Sequence, residues 1–124
     1  MKNLRNQSGQ ALVEMALVLP LLLLLLFGIV EMAMLGFTYI TVQNAVGAGA
    51  NMAVSGGTDG DVKLAVINAS PGLTPPLLAT NIAIQHTPPN VIITVTYPAN
   101  LTIHIIPGLP NPLNVVATLT EEVP

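Results

Sequence analysis

Met15 to Val30 is a run of sixteen residues without a charge, and it holds six consecutive leucines, Leu21 to Leu26. Roughly 20 apolar residues cross a bilayer. The wider apolar stretch, Ala11 to Val42, is broken only by Glu14, Glu31, Pro20 and a few hydroxyl groups. Leu, Ala and Met dominate it, and all three favour helix. Continued to about Ser55, such a helix would run on the order of 65 Å at 1.5 Å per residue. That is roughly twice the hydrocarbon thickness, so its far half must leave the membrane and pack on something else. Met15, Pro20, Leu21, Leu26, Gly28 and Val30 mark the expected anchor.

The charge map divides the rest. Lys2 and Arg5 precede the apolar run, and Asp59, Asp61 and Lys63 cluster. No Asp, Glu, Lys or Arg then occurs until Glu121 and Glu122. Basic residues before a first span favour a cytoplasmic N-terminus, with the C-terminal part outside. Ten of the eleven prolines follow residue 70, so composition changes near Gly56-Gly57. Three basic residues against six acidic ones cannot neutralise a run of phosphates, which argues against nucleic acid as a partner. The absence of Cys excludes disulfides and thiolate chemistry. No Ser-His-Asp arrangement, phosphate loop or paired-carboxylate site can be assembled, so no enzyme, cofactor or metal is expected. His86 and His104 lack an evident third ligand nearby in sequence and read as ordinary surface or turn residues.

Beyond the boundary an α+β arrangement is expected. Thr58-Asp59-Gly60-Asp61 offers an N-cap, and Val62, Ala65, Val66 and Ala69 recur at helical spacing up to the stop at Ser70-Pro71-Gly72. Period-two alternation then gives strands over Asn81–His86 and Val91–Tyr97, joined by Thr87-Pro88-Pro89-Asn90. Leu101–Ile106 is a further candidate, and Leu113–Thr120 a last strand with Leu113, Val115, Ala117 and Leu119 inward. A three- to four-stranded antiparallel sheet, packed by the short helix and the outer half of the long one, accommodates these elements. Asn68-Ala69-Ser70 and Asn100-Leu101-Thr102 match the glycosylation acceptor pattern.

Ser8-Gly9-Gln10-Ala11-Leu12-Val13-Glu14-Met15 places a glycine five residues before a carboxylate inside the membrane segment. It resembles the processing site of type IV prepilins, which a membrane-embedded peptidase cuts after the Gly. Gly9 to Pro20, followed by Phe27-Gly28-Ile29-Val30-Glu31, is similar to the N-terminal signature of TadE-like minor pilins (pseudopilins) of the tight-adherence, or Flp, pilus system. The resemblance implies a leader over residues 1–9, cleavage between Gly9 and Gln10, a long helix over 10–55 and a small extracytoplasmic domain over 56–124. It implies peptidase recognition through Gly9, Glu14 and Met15, the last replacing the usual aromatic. It further implies a structural subunit that helps assemble an adhesive pilus, with prepilin peptidase, other pilins and the assembly platform as partners.

Glu14 has a physical role of its own to fill. A carboxylate in the membrane costs at least ~2.5 kcal/mol on insertion scales and calls for a cation at equal depth. Cleavage after Gly9 would supply one, the Gln10 amine of an adjacent subunit, and the pair would set axial register. The alternative is that Glu14 lies at the headgroup level. Gly28, Gly36, Gly47 and Gly49 would let helices approach closely. The Gly47–Ala50 stretch requires a packing partner if helical, and is otherwise a hinge. The competing function is an uncleaved single-pass membrane protein whose outer domain binds a protein partner.

Overall fold

The computed structural model describes residues 4–102 and 108–124, with side chains from residue 9 onward. Lys2, the Arg5 side chain, His104 and most of the candidate strand Leu101–Ile106 lie outside the described residues. The elements are α1 (Leu4–Val54), α2 (Asp59–Asn68), a short 3-10 turn (Ala79–Asn81), β1 (Ile82–Thr87), β2 (Asn90–Ala99) and β3 (Leu113–Glu122). The chain is α+β, with a single antiparallel sheet in the order β1-β2-β3.

α1 runs 51 residues without a break, through Pro20 and through the Gly47–Ala50 stretch. At 1.5 Å per residue it is about 76 Å long. Its two halves differ in their surroundings. From Leu12 to Val30 the large apolar side chains are exposed, whereas Thr41, Val42, Ala45, Val46, Gly49, Ala50 and Ala53 are buried. Those positions recur at three and four residues, so one stripe of the upper helix faces the core. Helix therefore persists through glycines because tertiary packing outweighs their propensity cost of about 1 kcal/mol each. Gly49 sits where α2 crosses, and a Cβ there would stand 2.5 Å from Val66 Cγ2 and 3.4 Å from Val62 Cγ1.

α1 stops in a Schellman motif. Gly56 has φ +83°, its N–H donates to Ala53 O at 3.0 Å, and Gly57 N–H donates to Met52 O at 3.0 Å. α2 begins at once in a capping box on Thr58. Thr58 Oγ1 accepts from Asp61 N at 3.3 Å, and Asp61 Oδ2 accepts from Thr58 N at 2.9 Å and from Thr58 Oγ1 at 2.7 Å. These bonds, the side-chain one first, hold the Asp61 carboxyl below its ordinary value.

The sheet presents one face to the helices. Val91, Ile93, Val95, Tyr97 and Ala99 of β2 are buried, as are Val115 and Ala117 of β3, while Leu113 and Leu119 are half-buried. Val95 pairs with Ala117, Tyr97 with Val115 and Ile84 with Ile93. With Val42, Ala45, Val46, Val62 and Val66 the buried side chains of β2 and β3 form one core shared by α1, α2 and the sheet, against which Ile84 and Leu119 pack and Leu113 does not. The opposite face carries Thr94 and Thr118, whose hydroxyls lie 3.3 Å apart. Tyr97 Oη reaches out of the core to donate to Pro75 O at 2.7 Å, and burial raises its pKa.

Candidate functional site

The residues expected to matter for processing lie on the bare lower turns of α1. Glu14 and Met15 are exposed, and a Cβ at Gly9 would meet nothing within 4 Å. Gln10 stands one turn below Glu14 and its Nε2 donates to Glu14 Oε1 at 3.2 Å. The helical spacing i, i+4 brings those two side chains to one face. The amide gives the carboxylate a hydrogen-bond donor inside an otherwise apolar surface.

Above them the helix is apolar all round. Leu12, Leu21 and Leu26 are 72%, 68% and 50% exposed, and the most apolar eighteen-residue window contains no buried residue. In water such a surface would be unstable, whereas a lipid environment or neighbouring helices satisfy it. The helix is long and apolar enough to cross a membrane. Gly28, Gly36 and Gly47 have open space where a side chain would be, so three of the four glycines proposed for helix packing face away from the chain's own core. Gly49 differs, because its close neighbour is this chain's α2.

The helix meets the sheet domain at Glu31. Its Oε1 accepts from Thr102 N at 2.7 Å, across 71 positions of sequence. In the sequence Glu31 only interrupts the apolar run, and the contact with the loop after β2 adds what no local signal carried. A cleft of about 460 Å³ opens beside this contact, between α1 from Val30 to Thr38, the loop at residues 72–74, the end of β2 and the residues that follow it to Thr102.

At the other end of the domain, His86 Nε2 of β1 lies 2.9 Å from Asp59 Oδ1 at the start of α2. Spacing concealed this pair too, since 27 positions separate the partners. Both are more than half exposed, so the contact contributes little to stability. Among the described residues no group of three or more His, Cys, Asp or Glu is placed to hold a metal ion.

The chain thus joins a bare apolar N-terminal helix, long and apolar enough to cross a membrane, to a small α+β domain into which its upper half is built. Residues 9–51 match the family described as TadE-like protein. That match covers most of α1 and none of the sheet, and it makes the N-terminal helix similar to that of TadE-like proteins. Proteins of that family are structural. No curated protein and no solved structure matches the chain.

Proposed function

We propose that this chain is made as a prepilin-like precursor, cut between Gly9 and Gln10 by a prepilin peptidase, and assembled into a Tad pilus. Residues 1–9 are then a cytoplasmic leader, residues 10–55 the membrane and filament helix, and residues 56–124 the outer domain. Gly9, Glu14 and Met15 are the features the peptidase reads. Lys2 and Arg5 keep the N-terminus cytoplasmic. The observation that carries the reading is the match itself, which starts at Gly9 and follows the helix whose leucines lie bare.

Assembly in this reading transfers the helix from lipid to a bundle of like helices. Lipid and leucine are equally apolar, so association rests on close packing and on polar pairing rather than on the hydrophobic effect. Gly28, Gly36 and Gly47 allow neighbours to approach. Glu14 supplies the polar term by pairing with the new Gln10 amine of an adjacent subunit and so fixing axial register. Gln10 holds the carboxylate by its side-chain amide until that neighbour arrives.

The test is the N-terminus and intact mass of the chain recovered from membranes and from sheared surface material. A chain starting at Gln10 in the sheared fraction is expected, and Gly9→Leu should leave the precursor uncut. Normal trimming of Gly9→Leu would overturn the reading. A chain that starts at Met1 and stays in membranes would instead favour the uncleaved single-pass protein.

A further inference from the structure

We propose that the cleft at the foot of the domain binds one phospholipid with a primary-amine headgroup, its ammonium on Glu31. This rests on α1 crossing the bilayer and is independent of cleavage after Gly9. The cleft stands where the bilayer ends. Met15–Val30 rises about 24 Å, somewhat less than the ~30 Å hydrocarbon core. Exposed apolar side chains continue past it at Met32, Met34, Phe37 and Ile40, until Tyr39 and Gln43 bring polar groups to the surface. The cleft opens onto residues 30–38, so its mouth faces the headgroups and first methylenes of the adjacent leaflet.

Its chemistry fits that ligand at both ends. Val30, Met34, Phe37, Leu73 and Tyr97 give it apolar walls continuous with the lipid-facing surface of α1. Glu31 is the one charged group among its described lining residues. One Glu31 oxygen is taken by Thr102 N. No described basic side chain lies near it. Lys63 follows Val62, which packs at Gly49, eighteen residues or about 27 Å further along α1. A half-buried carboxylate against apolar walls calls for a cation. A primary ammonium brings three N–H donors, while a quaternary ammonium brings none. An acyl chain can lie along the wall beneath.

The full chain is inserted into vesicles of phosphatidylethanolamine, phosphatidylcholine or phosphatidylglycerol, and membrane insertion is checked first by alkaline extraction. Chain lost on extraction would defeat the membrane reading itself. Lipid retained per chain is then measured by native mass spectrometry. One phosphatidylethanolamine per chain should survive conditions that strip the other two lipids. Glu31→Gln keeps an oxygen for Thr102 N–H but removes the charge, and should lower that retention about tenfold, the ratio a hydrogen bond to a charged group supports. Met34→Trp should narrow the cleft and lower it as well. Equal retention of phosphatidylethanolamine and phosphatidylcholine, or unchanged retention in Glu31→Gln, would overturn the proposal. Displacement of lipid by a second copy of the chain would do the same.

Discussion

Gly49 of α1 and Val66 of α2 are in mutual contact at a distance that leaves no room for a methyl group, since a Cβ on Gly49 would lie 2.5 Å from Val66 Cγ2. Both residues are buried, and Val66 is fully so. The crossing of the two helices is therefore set by the missing side chain. Gly49→Ala should destabilise the domain by about 1–3 kcal/mol through overpacking. Val66→Ala should cost about 0.5–3 kcal/mol on its own through the cavity it leaves. The double variant should lose less than the sum of the two, because each change relieves the other. Thermal melts of the detergent-solubilised full chain, compared as a double-mutant cycle, measure the coupling.

That contact also shows where sequence reading stops. The apolar run, the cap at Thr58 and the period-two strands were legible because each is written within a few residues. Whether Gly47–Ala50 is helix or hinge was not, because the answer lies in α2, which supplies Val62 and Val66. The same holds for Glu31 with Thr102, 71 positions apart, and for His86 with Asp59, 27 apart. The lower helix is the opposite case. The reading of Gly9, Glu14 and the leucines rests on local sequence alone, and the isolated chain adds only the Gln10 amide on Glu14.

The capping box predicts an acid-side dependence. Thr58→Ala removes the N-cap hydroxyl and should cost about 1 kcal/mol. Asp61 has its pKa lowered from 3.8 in the folded chain by its Thr58 bonds. A depressed carboxyl contributes stability that is present above its unfolded value and fades as pH falls through the folded one. The melting temperature of the wild type should therefore fall below pH 3.8 more steeply than that of Asp61→Asn. Circular dichroism melts from pH 2 to 5 test the difference in slope.

Tyr97 predicts the mirror image at high pH. Burial raises its pKa above 10.0, so the folded chain holds the phenol proton more tightly than the unfolded chain does. The stability gained is present below pH 10.0 and is lost as pH rises through the folded value. Tyr97→Phe should lower stability by about 1 kcal/mol at neutral pH, through the lost bond to Pro75 O. It should also flatten the decline above pH 10. Absorbance titration of the phenolate alongside thermal melts separates the two effects.

Glu14 gives the sharpest division between the filament reading and the plain anchor. If its carboxylate pairs with the Gln10 amine of a neighbour, Glu14→Gln removes the ionic half of that pair while keeping a side chain of the same shape. The amide cannot match the charge, and a pair shielded from water by leucines loses more than the 0.2–1 kcal/mol typical of exposed ion pairs. Chain in the sheared fraction should then fall about tenfold, since 1.4 kcal/mol is a factor of ten, while the membrane pool is unchanged. The ratio must be taken on molecules that start at Gln10, because uncut chain reports on peptidase recognition rather than on register. Glu14→Asp keeps the charge on a side chain one methylene shorter and should recover part of the loss. Equal amounts of wild type and Glu14→Gln in the sheared fraction would return Glu14 to the headgroup level, as a carboxylate with Gln10 for a partner and no part in assembly.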